Sequence, residues 1–136
     1  MIQRRRGGII LMSSMSATQG SAYIAHYAAT KAYNMVLAEG LWSEFAPQGV
    51  DVLASMPAAI EAPNYRLSLG SSGKESVSAM SPRIVVAESL DALGKQPGVI
   101  PGFTNRLQGF IMRRLLPRRL LVRLMSRVLT GMYRVN

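Results

Sequence analysis

The chain has 136 residues, of which 49% are hydrophobic and 17% charged, a formal net charge of +9 and a mean hydropathy of +0.15. That suits one domain with a real core, and is too apolar for disorder and too interrupted by charge for a membrane span. The absence of cysteine and a single histidine, His26, exclude disulfides, thiolate or multi-histidine metal sites and cysteine nucleophiles, and argue against a Ser-His-Asp triad.

The basicity sits at the two ends. Arg4, Arg5 and Arg6 carry +3, residues 7–105 sum to −2, and residues 106–136 hold eight arginines and no acid. The arginines at the start precede an apolar run, Gly7 to Met12, of only six residues. A secretory core needs roughly 7–15 apolar residues, and no stretch approaches the roughly 18 of a transmembrane helix. A cytoplasmic chain is the expectation.

Ile9-Ile10-Leu11-Met12, bounded by Gly7-Gly8 and by serines, reads as a parallel-sheet strand buried on both faces. Ser13 to Ser21 is a Ser/Gly-rich loop. Ala22 to Phe45 is alanine-rich, made of good helix formers and stopped by Pro47-Gln48-Gly49. Val50 to Met56 is a second apolar run, ended by Pro57. Strand, crossover helix and strand make a βαβ unit with parallel pairing. From Ala58 to Pro82, with Gly70-Ser71-Ser72-Gly73, the chain reads as a mobile loop with a short helical piece. Ser81-Pro82 has the form of an N-cap followed by proline at the first helical position, opening a helix over Ile84 to Leu93. Gly98-Val99-Ile100-Pro101 reads as a brief edge strand. From Pro117 onward, Leu120, Leu121, Leu124, Met125, Val128, Leu129 and Met132 fill one arc of a helical wheel. Arg119, Arg123, Arg127, Thr130 and Arg134 fill the other, an amphipathic helix.

Two residues in the long helix are candidates for chemistry, although an alanine-rich helix can carry such a pair by accident. Tyr27 and Lys31 stand at i and i+4 on one face. A free phenol, with a pKa of about 10, is a poor acid–base catalyst at neutral pH, and a fixed cation beside it favours the phenolate. Ser14 lies just past the carboxyl end of the first strand, where ligands bind in open parallel sheets. A hydroxyl there and a phenol on the next helix suit proton transfer to or from a carbonyl or alcohol oxygen.

These segments, Gly-Gly-Ile-Ile-Leu-Met-Ser-Ser, His-Tyr-Ala-Ala-Thr-Lys-Ala-Tyr-Asn and Gly-Val-Asp-Val-Leu-Ala-Ser-Met-Pro, resemble the short-chain dehydrogenase/reductase family. Met80 to Gly94, Val99-Ile100-Pro101-Gly102 and Leu115-Leu116-Pro117-Arg118-Arg119-Leu120 are similar to its bacterial DltE-like branch. The resemblance implies an NAD(P)-dependent oxidoreductase acting on a small carbonyl or alcohol. Tyr27 would be the general acid/base, Lys31 would tune it and bind the nicotinamide ribose, and Ser14 rather than Ser13 would orient the substrate oxygen. Pro57, Ala58 and Ile60 would pass beside the nicotinamide, and Pro63 to Ser78 would form a substrate lid. Ala58 and Ala62 replace a glycine and a threonine usual in the family, and the second change removes one cofactor hydrogen bond.

The family's opening strand, glycine-rich phosphate turn and helix have no counterpart, since Gly7-Gly8 precedes a strand instead of following one. The expected architecture is therefore α/β, a partial Rossmann-like, doubly wound parallel sheet lacking its N-terminal half. Residues 1–105 would form that part, and 106–136 a basic amphipathic helical tail. Such a fragment is expected to bind NAD(P) poorly alone and to turn over little, and to self-associate or recruit a partner over an uncovered sheet edge. The alternative is an inactive remnant or interaction module, associated with a membrane surface through the basic tail. Nucleic acid is disfavoured because the tail offers few aromatics and the body is acidic. His26, turned about 100° from Tyr27, reads as non-catalytic, Trp42 and Phe45 as core or interface, and Glu39 and Glu44 as solvated.

Overall fold

The structure, a computed structural model, describes residues 1–62 and 79–133. Its elements in chain order are β1 (Gly7–Met12), α1 (Ala25–Phe45), β2 (Val50–Ser55), α2 (Pro82–Ala92), β3 (Gly98–Val99), α3 (Phe103–Arg114) and α4 (Arg118–Tyr133). The strands form one parallel sheet ordered β1-β2-β3. Gly7 faces Val50 and Met12 faces Ser55, and Ala54 and Ser55 face Gly98 and Val99. This is the expected α/β, Rossmann-like arrangement, with the βαβ unit in place and Gly98–Val99 as an edge strand.

β2 is the strand on which the layers are built. Alternate strand residues point to opposite faces. Val52 and Ala54, both fully buried, join Ala38 of α1 in one cluster, with Ile9, Leu11, Met35, Leu41, Trp42 and Phe45 packed around it. Leu53 turns the other way and joins Ala92 and Val99, with Ile10 and Leu93 alongside. Ser55 follows Leu53 on that second face. Its Oγ meets the Ser89 Oγ of α2 at 2.8 Å, and Ser89 Oγ donates to the Val85 carbonyl at 2.7 Å. Since the Ser89 proton is committed to Val85, Ser55 is the donor of the pair.

Local chemistry sets the element ends. Helix α1 runs into a 3-10 turn, Ala46–Gln48, and Gly49 leaves it at φ 70. A Cβ on Gly49 would lie 2.2 Å from the Arg5 carbonyl oxygen, so glycine is required there for space as well as for backbone conformation. At α2, Pro82 stands at the first helical position and Ser81 at the N-cap, but the Ser81 side chain makes no capping hydrogen bond.

Two expectations need correction. β1 is not buried on both faces. Ile9, Ile10 and Leu11 are half-buried and Met12 is 44% exposed; among the described residues β1 is an edge strand and β2 takes the central position. Helix α1 begins at Ala25 rather than Ala22, since Tyr23 sits at φ 66, outside helical backbone. The apolar arc of α4 is only partly covered. Leu121 is buried, whereas Leu120, Leu124 and Val128 are 50%, 42% and 44% exposed. The division at 105/106 falls inside α3, and the expected lid from Pro63 to Ser78 lies outside the described residues.

The serine pair yields an asymmetric outcome. Ser89→Ala leaves the buried Ser55 hydroxyl without its acceptor and is expected to cost about 1–3 kcal/mol. Ser55→Ala leaves Ser89 still bonded to Val85 and is expected to cost clearly less. Denaturant melts of the two single variants check the order, and equal losses would contradict the donor assignment.

Candidate active site

The carboxyl ends of β1 and β2 are tied together beyond the strands themselves. The Ser13 N–H donates to the Ser55 carbonyl at 2.7 Å, and the Met15 N–H to the Pro57 carbonyl at 3.0 Å. Ser14 is thus carried in a stretch pinned on both sides to residues 55–57. A 3-10 turn, Met15–Thr18, follows, with Ser14 as its cap. The Ser14 Oγ accepts from the Ser16 N–H at 3.2 Å and meets the Ser16 Oγ at 2.7 Å. With Ser16 as donor in the second contact, the Ser14 O–H is free to donate outward.

Helix α1 is clamped to the end of β1 by three side chains. Ser13, buried, donates its Oγ to the Lys31 carbonyl at 2.7 Å. In return the Lys31 Nζ donates to the Met12 carbonyl at 3.0 Å, and the Asn34 Nδ2 donates to the same oxygen at 3.2 Å. Lys31 also lies over the Tyr27 ring, its Nζ 5.7 Å from the centroid, within cation–π range. Tyr27 is 47% exposed, and its hydroxyl has no hydrogen-bond partner among the described residues.

The segment after β2 supplies the other side. Pro57 is buried, and Ala58, Ala59 and Ile60 are half-buried. Met80 returns to this segment as a parallel bridge to Ile60. The Met80 N–H donates to the Ala59 carbonyl and the Glu61 N–H to the Met80 carbonyl, each at 2.9 Å. Residues 57–61 are therefore held from both directions.

Tyr27 and Lys31 come together on one helix face as the spacing predicts. Ser14 stands at the same end of the sheet, but among the described residues no hydrogen bond joins it to either of them. Its neighbour Ser13, set aside on sequence, bonds to α1 instead. Sequence reading also passed over Asn34. Its signal was available, because it follows Lys31 by three positions and so shares its helix face. The arrangement offers an exposed phenol, an ammonium with two N–H donors beyond the one given to Met12, and a hydroxyl proton at one end of a parallel sheet.

Comparison with known proteins follows the same lines. Residues 1–68 match the family model described as short chain dehydrogenase. A 7β-hydroxysteroid dehydrogenase of Clostridium sardiniense is 33% identical over 104 residues, covering 76% of this chain and 40% of its own length. A solved structure from a study of 7β-hydroxysteroid dehydrogenase stereoselectivity superposes with a TM-score of 0.78 at 27% identity, covering 90% of this chain and 47% of that one. A short chain dehydrogenase from Burkholderia cenocepacia, solved in complex with NADP, shares the fold at 23% identity with a TM-score of 0.73, covering 91% and 50%. The chain spans half or less of the length of each of these relatives.

The two adjacent serines are expected to separate in stability. Ser13→Ala removes a buried hydrogen bond that anchors β1 to α1 and should cost about 1 kcal/mol. Ser14→Ala loosens only a four-residue turn and should cost less than half of that. Melting temperatures of both variants check this, and a larger loss for Ser14→Ala would contradict it.

Proposed function

Because the chain belongs to the short chain dehydrogenase family, we propose that it carries the catalytic side of an NAD(P)-dependent oxidoreductase acting on a carbonyl or secondary alcohol. The observation that supports this best is the placement of Lys31. Its ammonium is held by the last carbonyl of β1 and lies over the ring of an exposed Tyr27 whose hydroxyl has no hydrogen-bond partner among the described residues.

The residues present fit the nicotinamide end of a dinucleotide. Among the described residues Lys31 has two uncommitted N–H donors for ribose hydroxyls, and Pro57, Ala58 and Ile60 belong to a pinned stretch of low polarity. A bound reduced nicotinamide would supply the hydride. The chain's own residues would manage the oxygen. Ser14 donates a hydrogen bond to the carbonyl oxygen and fixes its position, while the Tyr27 hydroxyl delivers the proton that turns the developing alkoxide into the alcohol. Lys31 sets a positive charge beside the Tyr27 ring as the proton leaves. In the oxidative direction the same groups act in reverse. Within the family, Met80 to Gly94 and the arginine-rich tail support placement in the DltE-like branch.

The test is a fluorescence titration of the full chain with NADPH and NADH at moderate and high salt, followed by carbonyl-dependent oxidation of the bound nucleotide. The salt series separates a specific site from the general attraction of a +9 protein for phosphates. The expected result is saturable binding that survives salt and weakens about tenfold in Lys31→Ala, as loss of charge-assisted hydrogen bonds requires. Tyr27→Phe should keep that binding and lose about a hundredfold or more in turnover. Binding that vanishes with salt and is the same in Lys31→Ala would overturn the reading for this chain.

A further inference from the structure

The two last helices leave their bulkiest side chains in solvent, and the reason lies in how they dock. Helix α3 meets the body through Gly109, which is buried. A Cβ there would lie 2.9 Å from the Ile100 Cδ1. At 100° per residue, Phe103, Leu107, Phe110, Ile111 and Arg114 lie on the side away from Gly109. Phe103 is 74% exposed, Phe110 58% and Leu107 51%. Helix α4 docks through Leu121, and its Ser126 Oγ accepts from the Ala22 N–H at 3.0 Å. That contact turns Leu120, Leu124 and Val128 outward, beside Arg119, Arg123 and Arg127, which are exposed as well. Each turn of the outward side of α4 thus presents one arginine next to one large aliphatic residue.

Charge decides what such a surface can meet. No acidic residue follows Asp91, while eight arginines do. A second copy would bring arginine against arginine. Phosphates of a nucleic acid would satisfy the guanidinium groups but leave leucines and valine without a partner. An anionic lipid surface satisfies both, because the aliphatic and aromatic side chains enter the acyl boundary while the arginines reach the headgroups. Among the described residues no helix is long and apolar enough to cross a membrane. We propose that the outward sides of α3 and α4 bind the surface of a bilayer rich in anionic lipid, lying in its plane. This stands independently of the catalytic reading.

The experiment is vesicle flotation of the full chain, with phosphatidylcholine alone and with about one-third of it replaced by phosphatidylserine, at low and high salt. The expected result is binding to the anionic vesicles only, reduced by salt. Arg123→Gln and Arg127→Gln should each weaken it about fivefold, the equivalent of about 1 kcal/mol per charge near such a surface. The pair Phe110→Ser and Leu124→Ser, which replaces only exposed side chains, should weaken it roughly tenfold or more with the melting temperature unchanged. Three outcomes would overturn the proposal. These are equal binding to neutral vesicles, anionic binding indifferent to the Phe110 and Leu124 changes, and a chain that stays with the aqueous phase, including as a soluble oligomer.

Discussion

The Met12 carbonyl is the point from which the site takes its geometry. Among the described residues β1 is an edge strand whose apolar residues are only half covered, so packing alone does not hold its carboxyl end. Polar contacts do. Lys31 and Asn34 both donate to the Met12 oxygen, which fills the two lone pairs a carbonyl possesses. Ser13 closes the loop by donating back to the Lys31 carbonyl. A free lysine side chain loses up to about 2 kcal/mol of rotamer freedom when it is fixed, and a hydrogen bond from a charged donor offsets a cost of that size. The consequence is an ammonium with a set position, and that position is over the Tyr27 ring. The same contacts that finish the strand therefore orient the residues proposed to do the chemistry.

Much of this was legible beforehand. A continuous apolar run between glycines and prolines marks a parallel strand, and Val50 to Ser55 proved the best buried of them, while the alanine-rich stretch formed α1 close to its predicted bounds. The i, i+4 spacing of Tyr27 and Lys31 put them on one face. What could not be read was anything depending on position within the assembled layers. β1 and β2 look alike as sequences, and the open edge of β1 was expected, yet the faces of β2 are almost wholly buried while those of β1 are only half covered. Tyr23 looks helical in composition and adopts φ 66 instead. The arc of α4 is a property of that helix alone, whereas the part of the arc that is covered depends on Ser126 and Leu121 meeting the loop before α1.

Close approach through small residues is a common theme with two opposite results. At the centre, Ala38 and Ala54 let α1 settle directly on β2, so the larger Trp42 and Phe45 pack around the contact and cover it. At the periphery, Gly109 also lets α3 approach Ile100 closely, but the large residues of α3 lie on the far side. In the first case small size brings bulk inward. In the second it sends bulk outward, and the arginines of the same segment go with it. The mean composition of the chain conceals this difference, since a half-apolar protein can spend its hydrophobic residues on either side of such a contact.

The adjacent serines show how local direction decides which hydroxyl is spent inside the fold. Successive residues leaving a strand point to opposite sides, so Ser13 and Ser14 cannot both face α1. Ser13 faces it, is buried, and gives its only proton to the Lys31 carbonyl. No proton is left for a substrate. Ser14 makes no hydrogen bond to α1 among the described residues; its oxygen accepts from the Ser16 N–H, and with Ser16 as donor in the hydroxyl pair its own proton stays unspent. Exchange of the two roles would require the strand to rotate by one residue. That shift would break the register from Gly7 through Met12 and move Ile9 and Leu11 off the face they share with α1. The pleat of β1 thus keeps Ser13 in its structural place, which supports Ser14 as the proposed donor.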